Sequence, residues 1–241
     1  VCCTMNAELW NCDFMAAALK IYLDTFDIES WHSLMPTGLF YGITTNPLLA
    51  ERAGLDYSAL EWGNVIKTAS TLGARELHIQ VPDTSEDALS FASKRLEDAA
   101  PHKLKIVIKV PLTREGIGLA SELKAQGHDI LMTACYNAKQ YVIAHQLNAD
   151  YIAPYYGRML EAGIDAKQHM IQMHAIGKSI SSEVKVLVAS LRSIDQLVEL
   201  AAVGLTHFTV APTIAEALLT DKLTQAATSE FALAAKGSSQ E

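Results

Sequence analysis

A lysine inside an apolar run is the residue with the clearest chemical potential in this sequence. Lys109 lies in the run Ile106–Val110, where side chains that alternate between two faces place it on the same face as Val107. Lysine is seldom fully buried without a partner. The placement indicates a functional amine, although a structural ion pair with Asp24 is the alternative.

Burial would give Lys109 a specific chemistry. An unperturbed lysine has a pKa of about 10.4, so roughly one molecule in 2,500 is neutral at pH 7. Desolvation disfavours the ammonium form and lowers the pKa of a buried lysine by up to about 5 units. A neutral amine in a dry pocket can attack a ketone and form a Schiff base. The protonated imine then stabilises the carbanion left when an adjacent carbon–carbon bond breaks.

Nearly all of the remaining apolar runs in the chain also end in a polar residue. In barrels of parallel strands, the carboxyl ends of the strands form the active-site mouth, so these side chains are expected to converge. Loops that simply begin with polar residues would explain some of them, but not Gln80 and Lys109, each of which is followed by another apolar residue. The residues concerned are Asp24, Thr44, Thr45, Asn46, Gln80, Lys109, Thr133, Tyr155 and Ser190.

The elements that would position these residues repeat eight times. Short β-branched runs occur at Lys20–Leu23, Leu39–Ile43, Glu76–Val81, Leu104–Val110, Ile130–Ala134, Tyr151–Pro154, Val184–Ala189 and His207–Val210. Amphipathic helical segments between them include Ser85–Ala99, Arg114–Gln126, Asn137–Leu147 and Ile194–Ala202. This alternation predicts an α/β fold with a parallel sheet, and eight units favour a single (β/α)8 TIM barrel over a doubly wound open sheet.

The repeats also set the expected domain limits. Residues 16–236 are predicted to form the barrel, including an extra C-terminal helix over Thr220–Lys236. Residues 1–15 fit no repeat and are interpreted as an extraneous leader, of which residues 1–14 are expected to be dispensable. Residues 237–241 are interpreted as a disordered tail.

Composition narrows the function classes. The net charge of -8 disfavours nucleic acid and an anionic membrane surface as partners. The eight histidines and four cysteines form no metal-binding motif, and no signal peptide or membrane span is apparent. A cytoplasmic protein without metal or organic cofactor is the expectation.

At its polar strand ends the chain resembles the transaldolase family, most closely the small-subunit branch that contains fructose-6-phosphate aldolases. The resemblance extends from Ile21 to about Leu219, through motifs that keep the family's order. They are Tyr22–Thr25, Gly42–Pro47, Ile108–Gly116, Ala153–Tyr155 with Arg158, and Ala189–Arg192. The resemblance implies a TIM-barrel enzyme without a cofactor.

The resemblance implies a catalytic role for five residues. Lys109 would be the Schiff-base nucleophile, and Asp24 would assist proton transfer and interact with substrate hydroxyls. Gln80, Thr133 and Tyr155 would hold a water molecule or act directly as acid and base.

Five further residues are implied to bind substrate. Thr45 and Asn46 would line the pocket, with Asn46 bonded to a hydroxyl beside the imine. Arg158, Ser190 and Arg192 would hold the phosphate of a small sugar phosphate, for which arginine offers bidentate geometry.

A few positions distinguish the aldolase branch of the family from the transaldolase branch. Tyr155 and Gln80 resemble the aldolases, whereas Arg192 and Gly157 resemble transaldolases, and Met132 replaces a usual glycine. The leading interpretation is an aldolase that cleaves ketoses or ketose phosphates, such as fructose 6-phosphate, to dihydroxyacetone and an aldehyde.

Two alternative functions remain next to the aldolase interpretation. One is a true transaldolase of the pentose phosphate pathway, which transfers dihydroxyacetone between sugar phosphates. The other is a non-catalytic barrel, which the intact set of site residues disfavours. The resemblance also implies a homo-oligomer, with a decamer of two pentamers as the expected form, in which the C-terminal helix crosses to a neighbouring subunit.

Overall fold

The eight β-branched runs form parallel strands in a computed structural model that describes residues 19–85 and 87–235. The strands pair in the order β1 to β8, and β8 pairs with β1, so the sheet closes on itself. The (β/α)8 TIM barrel is therefore confirmed and an open sheet is excluded. The strands are β1 (Lys20–Asp24), β2 (Phe40–Thr44), β3 (Glu76–Gln80), β4 (Lys105–Pro111), β5 (Ile130–Cys135), β6 (Tyr151–Pro154), β7 (Lys185–Val188) and β8 (His207–Val210).

Helices follow the strands and surround the barrel. The predicted helical segments are present, and their ends differ from the prediction by at most one or two residues, as helix ends commonly do. The helices are α1 (Ile28–Leu34), α2 (Pro47–Arg52), α3 (Trp62–Thr71), α4 (Asp87–Ala99), α5 (Arg114–Ala125), α6 (Lys139–Gln146), α7 (Tyr156–Glu161), α8 (Ala166–Ser179), α9 (Ile194–Ala202), α10 (Pro212–Leu219) and α11 (Lys222–Ala235).

The hydrophobic side chains fall into two clusters that follow the alternation along each strand. The larger one packs strands against helices and includes Ile106, Ile108 and Val110 of β4. The smaller one fills the barrel interior and includes Val107. The faces predicted for Ile106–Val110 are therefore confirmed.

A buried carboxylate occupies the interior near the amino ends of the strands. Glu76 accepts hydrogen bonds from the hydroxyls of Tyr22 and Tyr151, each at 2.9 Å, and lies 3.0 Å from Nε2 of His78. Burial alone would raise the pKa of Glu76, but the bonds from His78 and the two tyrosines outweigh it and lower the pKa to about 2. The carboxylate is thus ionised and satisfied, and it fills the interior away from the carboxyl-end mouth.

The last helix lies outside the barrel layers. No residue of α11 is buried, and Leu223, Phe231 and Leu233 are 81%, 70% and 71% exposed. The extra C-terminal helix is therefore present, with its apolar side chains in solvent in the single chain. The predicted leader and tail lie outside the described residues. In the described ranges, no helix has the length and apolar character needed to cross a membrane.

Candidate active site

A cavity of about 360 Å³ opens among the carboxyl ends of the strands. All the site residues predicted from the sequence border it except Gln80 and Thr45. Those that border it are Asp24, Asn46, Lys109, Thr133, Tyr155, Arg158, Ser190 and Arg192. The strand ends therefore bring together side chains that are up to 168 positions apart, from Asp24 to Arg192 (192 − 24).

Lys109 reaches the cavity from β4 and is only 5% exposed. Its Nζ donates a hydrogen bond to the main-chain oxygen of Thr45 at 2.7 Å. Burial lowers the pKa of Lys109, and the charge of Asp24 acts in the opposite direction. Since the pKa is lowered on balance, the neutral and nucleophilic amine is more populated than in a free lysine.

Thr45 contacts Lys109 through its main chain, while its side chain points elsewhere. Its amide nitrogen and its Oγ1 both donate to the carbonyl oxygen of His78 at 2.9 Å. These two bonds anchor the residue whose main-chain oxygen receives Lys109 Nζ. Gln80 pairs in register with Lys109 on the adjacent strand but lies outside the cavity lining.

Asp24 ends β1 beside two threonine hydroxyls, of which Thr44 was expected at the mouth as a polar strand end and Thr209 was not. Thr44 Oγ1 donates to Asp24 Oδ1 at 2.7 Å and lies 2.6 Å from Thr209 Oγ1. Both threonines border the cavity. Thr209 could have been predicted as well, because it lies on the inward face of the last run, between the outward-facing Phe208 and Val210.

Tyr155 and Thr133 form the opposite wall. The Tyr155 hydroxyl lies 2.9 Å from Thr133 Oγ1, and the guanidinium of Arg158 lies 5.0 Å from the tyrosine ring centre. Burial raises the pKa of Tyr155, which outweighs the opposite effects of Thr133 and Arg158. The phenol therefore stays protonated at neutral pH and is available as a proton donor.

Asn46 begins α2 as its N-terminal cap. Its Oδ1 accepts from the amide of Leu49 at 3.0 Å, and Pro47 follows at the first helical position. With the side-chain oxygen used by the cap, the Nδ2 group of Asn46 is the donor that a substrate hydroxyl can meet.

One end of the cavity is suited to an anion. Ser190 has a left-handed backbone (φ 63°), and its buried Oγ has no hydrogen-bond partner among the described residues. Gly157 donates its amide to Ser190 O at 2.9 Å, and a Cβ at Gly157 would lie 2.1 Å from that oxygen. A Cβ at Gly157 would also lie 3.0 Å from Cγ of Arg192, so the Arg192 side chain packs directly against Gly157, the residue before Arg158.

Two charged residues that border this cavity were not predicted from the sequence. Arg52 ends α2, which follows β2, and it borders the cavity together with Arg158 of α7. Glu161 ends α7, and its Oε1 lies 2.8 Å from Nε of Arg192. Both residues are on helices rather than at strand ends. On these helices no local sequence pattern indicates which side chains turn toward the mouth.

These groups make one kind of chemistry available. A partly neutral amine, a carboxylate and a protonated phenol border a small cavity with guanidinium groups at its rim, as imine formation and proton transfer require. In the described part of the chain, no group of three histidine, cysteine, aspartate or glutamate side chains is placed to hold a metal ion.

The chain is similar to known proteins over nearly its whole length. The model of the family described as transaldolase/fructose-6-phosphate aldolase matches residues 21–240. A probable transaldolase of Phenylobacterium zucineum (strain HLK1) is 30% identical over 213 residues, which is 88% of this chain and 94% of the relative. A probable transaldolase of Paracoccus denitrificans (strain Pd 1222) is 28% identical with the same coverage.

A solved structure is similar at the level of the fold alone. It is mandelate oxidase with 2-hydroxy-phenylacetamide, which matches with a TM-score of 0.56 at 13% identity. The match covers 81% of this chain and 65% of the oxidase.

Proposed function

This chain belongs to the transaldolase/fructose-6-phosphate aldolase family, and on that premise we propose that it is an aldolase that works through a Schiff base on Lys109. Its substrates are ketoses or ketose phosphates such as fructose 6-phosphate, with dihydroxyacetone as the carried unit. The observation that carries the proposal is the buried Nζ of Lys109, which faces a cavity that also contains Asp24 and Tyr155.

The first step is imine formation. The neutral amine of Lys109 attacks the ketone carbon, and the former carbonyl oxygen leaves as water after it has taken up protons. The carbonyl of Thr45, which accepts from Nζ at 2.7 Å, supports this step because it orients the amine. The buried position of Lys109 supports it because burial lowers its pKa.

The second step breaks the carbon–carbon bond. Asp24 takes the proton of the hydroxyl on the far carbon of that bond, the aldehyde leaves, and the bonding electrons move into the protonated imine to form an enamine. Thr44 supports this role because its bond to Oδ1 of Asp24 holds the carboxylate at the cavity wall.

The third step releases the carried unit. Tyr155, which is protonated because burial raises its pKa, donates a proton to the enamine carbon, directly or through a water molecule between it and Thr133. Hydrolysis of the imine then frees dihydroxyacetone and restores Lys109. The distal phosphate of a sugar phosphate binds at Arg158, Ser190 and Arg192.

A second candidate is a true transaldolase, in which the enamine waits for a second aldehyde. The curated relatives favour it, since they are named probable transaldolases. Both candidates share the covalent intermediate, so they differ in the fate of the enamine and not in its formation.

The Schiff base is tested by chemical trapping. Borohydride reduction in the presence of fructose 6-phosphate or dihydroxyacetone is expected to leave a covalent adduct on Lys109, found by mass spectrometry of the digested protein. Lys109→Met should abolish both adduct and turnover while it retains the fold, since methionine keeps much of the aliphatic volume and removes a buried amine. Full activity of this variant would end the Schiff-base proposal.

A coupled assay separates the two candidates. An aldolase should release dihydroxyacetone from fructose 6-phosphate alone. A transaldolase should turn over rapidly only when erythrose 4-phosphate is added as acceptor.

A further inference from the structure

Glu161 places a carboxylate at the anion end of the cavity. Its Oε1 lies 2.8 Å from Nε of Arg192, and both side chains remain about half exposed, at 59% and 49%. The bond from Arg192 lowers the pKa of Glu161, and the charges of Arg192 and Arg158 add to that effect. Glu161 is therefore ionised at neutral pH, in direct contact with a guanidinium of the cavity.

The position of Glu161 in its helix directs it at both arginines. It follows Arg158 by three residues on α7, and side chains at this spacing are neighbours on a helix surface. Arg192 comes from the loop after β7, which Gly157 holds against the start of α7. Asp24 and Glu161 are the carboxylates among the described residues that border the cavity, and Glu161 alone is bonded to an arginine there.

A phosphate monoester carries a charge of about −1.5 to −2 at pH 7. Such a group at Arg158 and Arg192 would lie beside the carboxylate of Glu161, which repels it and already occupies the Nε donor of Arg192. A neutral hydroxyl group at the same place meets no such repulsion and can donate a hydrogen bond to the carboxylate.

Building on the proposed function, we propose that Glu161 is a specificity-determining residue whose carboxylate competes with a substrate phosphate for Arg192 and favours substrates without phosphate. Sugar aldehydes and ketoses that end in a hydroxyl group are the chemical class that gains relative to their phosphate esters.

The kinetic test compares wild type, Glu161→Gln and the control Glu199→Gln, with dihydroxyacetone as donor. Glu199 is also half-exposed and paired with a cation, Lys167, but it lies outside the cavity. In Glu161→Gln, the KM for glyceraldehyde 3-phosphate should fall about three- to tenfold, while kcat/KM for glyceraldehyde should not rise. The control should leave both constants unchanged, and the gain should shrink as ionic strength rises.

Binding of inorganic phosphate gives a readout that needs no turnover. Calorimetry should show tighter phosphate binding by Glu161→Gln than by wild type and the control. Equal or weaker binding would overturn the inference, and weaker binding would show that Glu161 instead orients Arg192 for the anion. Absence of the borohydride adduct would end the proposed function without bearing on this comparison.

Discussion

In the proposed mechanism, Tyr155 acts at the step where the two candidate activities diverge. Its protonated phenol faces the cavity beside Thr133, while Asp24 and Lys109 enter from other strands. Whether the enamine takes a proton or a second aldehyde depends on how readily a donor delivers that proton. On this proposal, the hydroxyl group of Tyr155 decides between cleavage and transfer.

Replacement of Tyr155 by phenylalanine removes this hydroxyl and keeps the ring. Release of dihydroxyacetone is expected to slow by about 10²–10⁴-fold if Tyr155 is the sole acid. The longer-lived enamine should meet acceptor aldehydes more often, so the ratio of transfer to cleavage should rise. Rates of fructose 6-phosphate turnover with and without erythrose 4-phosphate measure that ratio. An unchanged or lower ratio would refute the role of Tyr155.

The site residues were predictable where strand ends dictate their direction. Lys109, Asp24 and Thr133 follow from alternation along short strands, because the inward face of a closed barrel converges at one mouth. Arg52 and Glu161 were not predictable in this way. Their direction depends on how α2 and α7 pack on the barrel, which is a tertiary property.

At the scale of the elements, the junction between β2 and β3 determines how Lys109 is held. Thr45 directly follows β2 and bonds twice to His78 of β3, and its own carbonyl receives Nζ of Lys109 from β4. Three adjacent strands are thus connected through one residue. The sequence predicted Thr45 as a pocket-lining residue, and periodicity alone could not reveal that its main chain makes the contact.

Thr45→Val tests this junction, since it keeps the side-chain shape and removes the bond from Oγ1 to His78 O. We expect a loss of about 1 kcal/mol in the free energy of unfolding. Imine formation should slow by up to about tenfold as the carbonyl that orients Nζ loosens.

Single-turnover trapping with dihydroxyacetone measures the imine step, and thermal melting measures stability. The matched control is Thr45→Ser, which retains the hydroxyl and should recover most of the trapping rate. A serine variant as slow as the valine variant would show that the methyl group, and not the hydrogen bond, matters at this position.

The strand and helix pattern was almost fully predictable at this scale. All eight strands were located, because each is a short β-branched run flanked by a helical segment. The short 3-10 turns at Met35–Thr37 and Tyr57–Ala59 were not foreseen. Turns of this length have no hydrophobic period and depend on the packing around them.

At the scale of the whole molecule, the apolar side chains of α11 are not covered by any other part of the described chain. Its leucines and phenylalanine are exposed along a helix of 14 residues, which makes a covered position in an assembly more favourable than solvent. We propose that the protein is a homo-oligomer in which α11 contacts a neighbouring subunit.

The proposal predicts the effect of charge on α11. Leu223→Glu combined with Phe231→Glu should shift the protein toward smaller species in light scattering after size-exclusion chromatography. The control Ser229→Glu introduces a charge at a polar position of the same helix and should leave the mass unchanged. A wild-type protein that is monomeric at micromolar concentration would contradict the proposal.

The closure of β8 onto β1 has a consequence for synthesis on the ribosome. Thr209, which supports Thr44 and through it Asp24, lies 165 positions after Thr44, in the last strand to be made. A nascent chain that ends before β8 leaves the edges of β1 and β7 unpaired, and such edges invite association with other chains. The carboxylate side of the site is therefore assembled only after β8 has been translated, so products that end before β8 should be inactive and prone to aggregate.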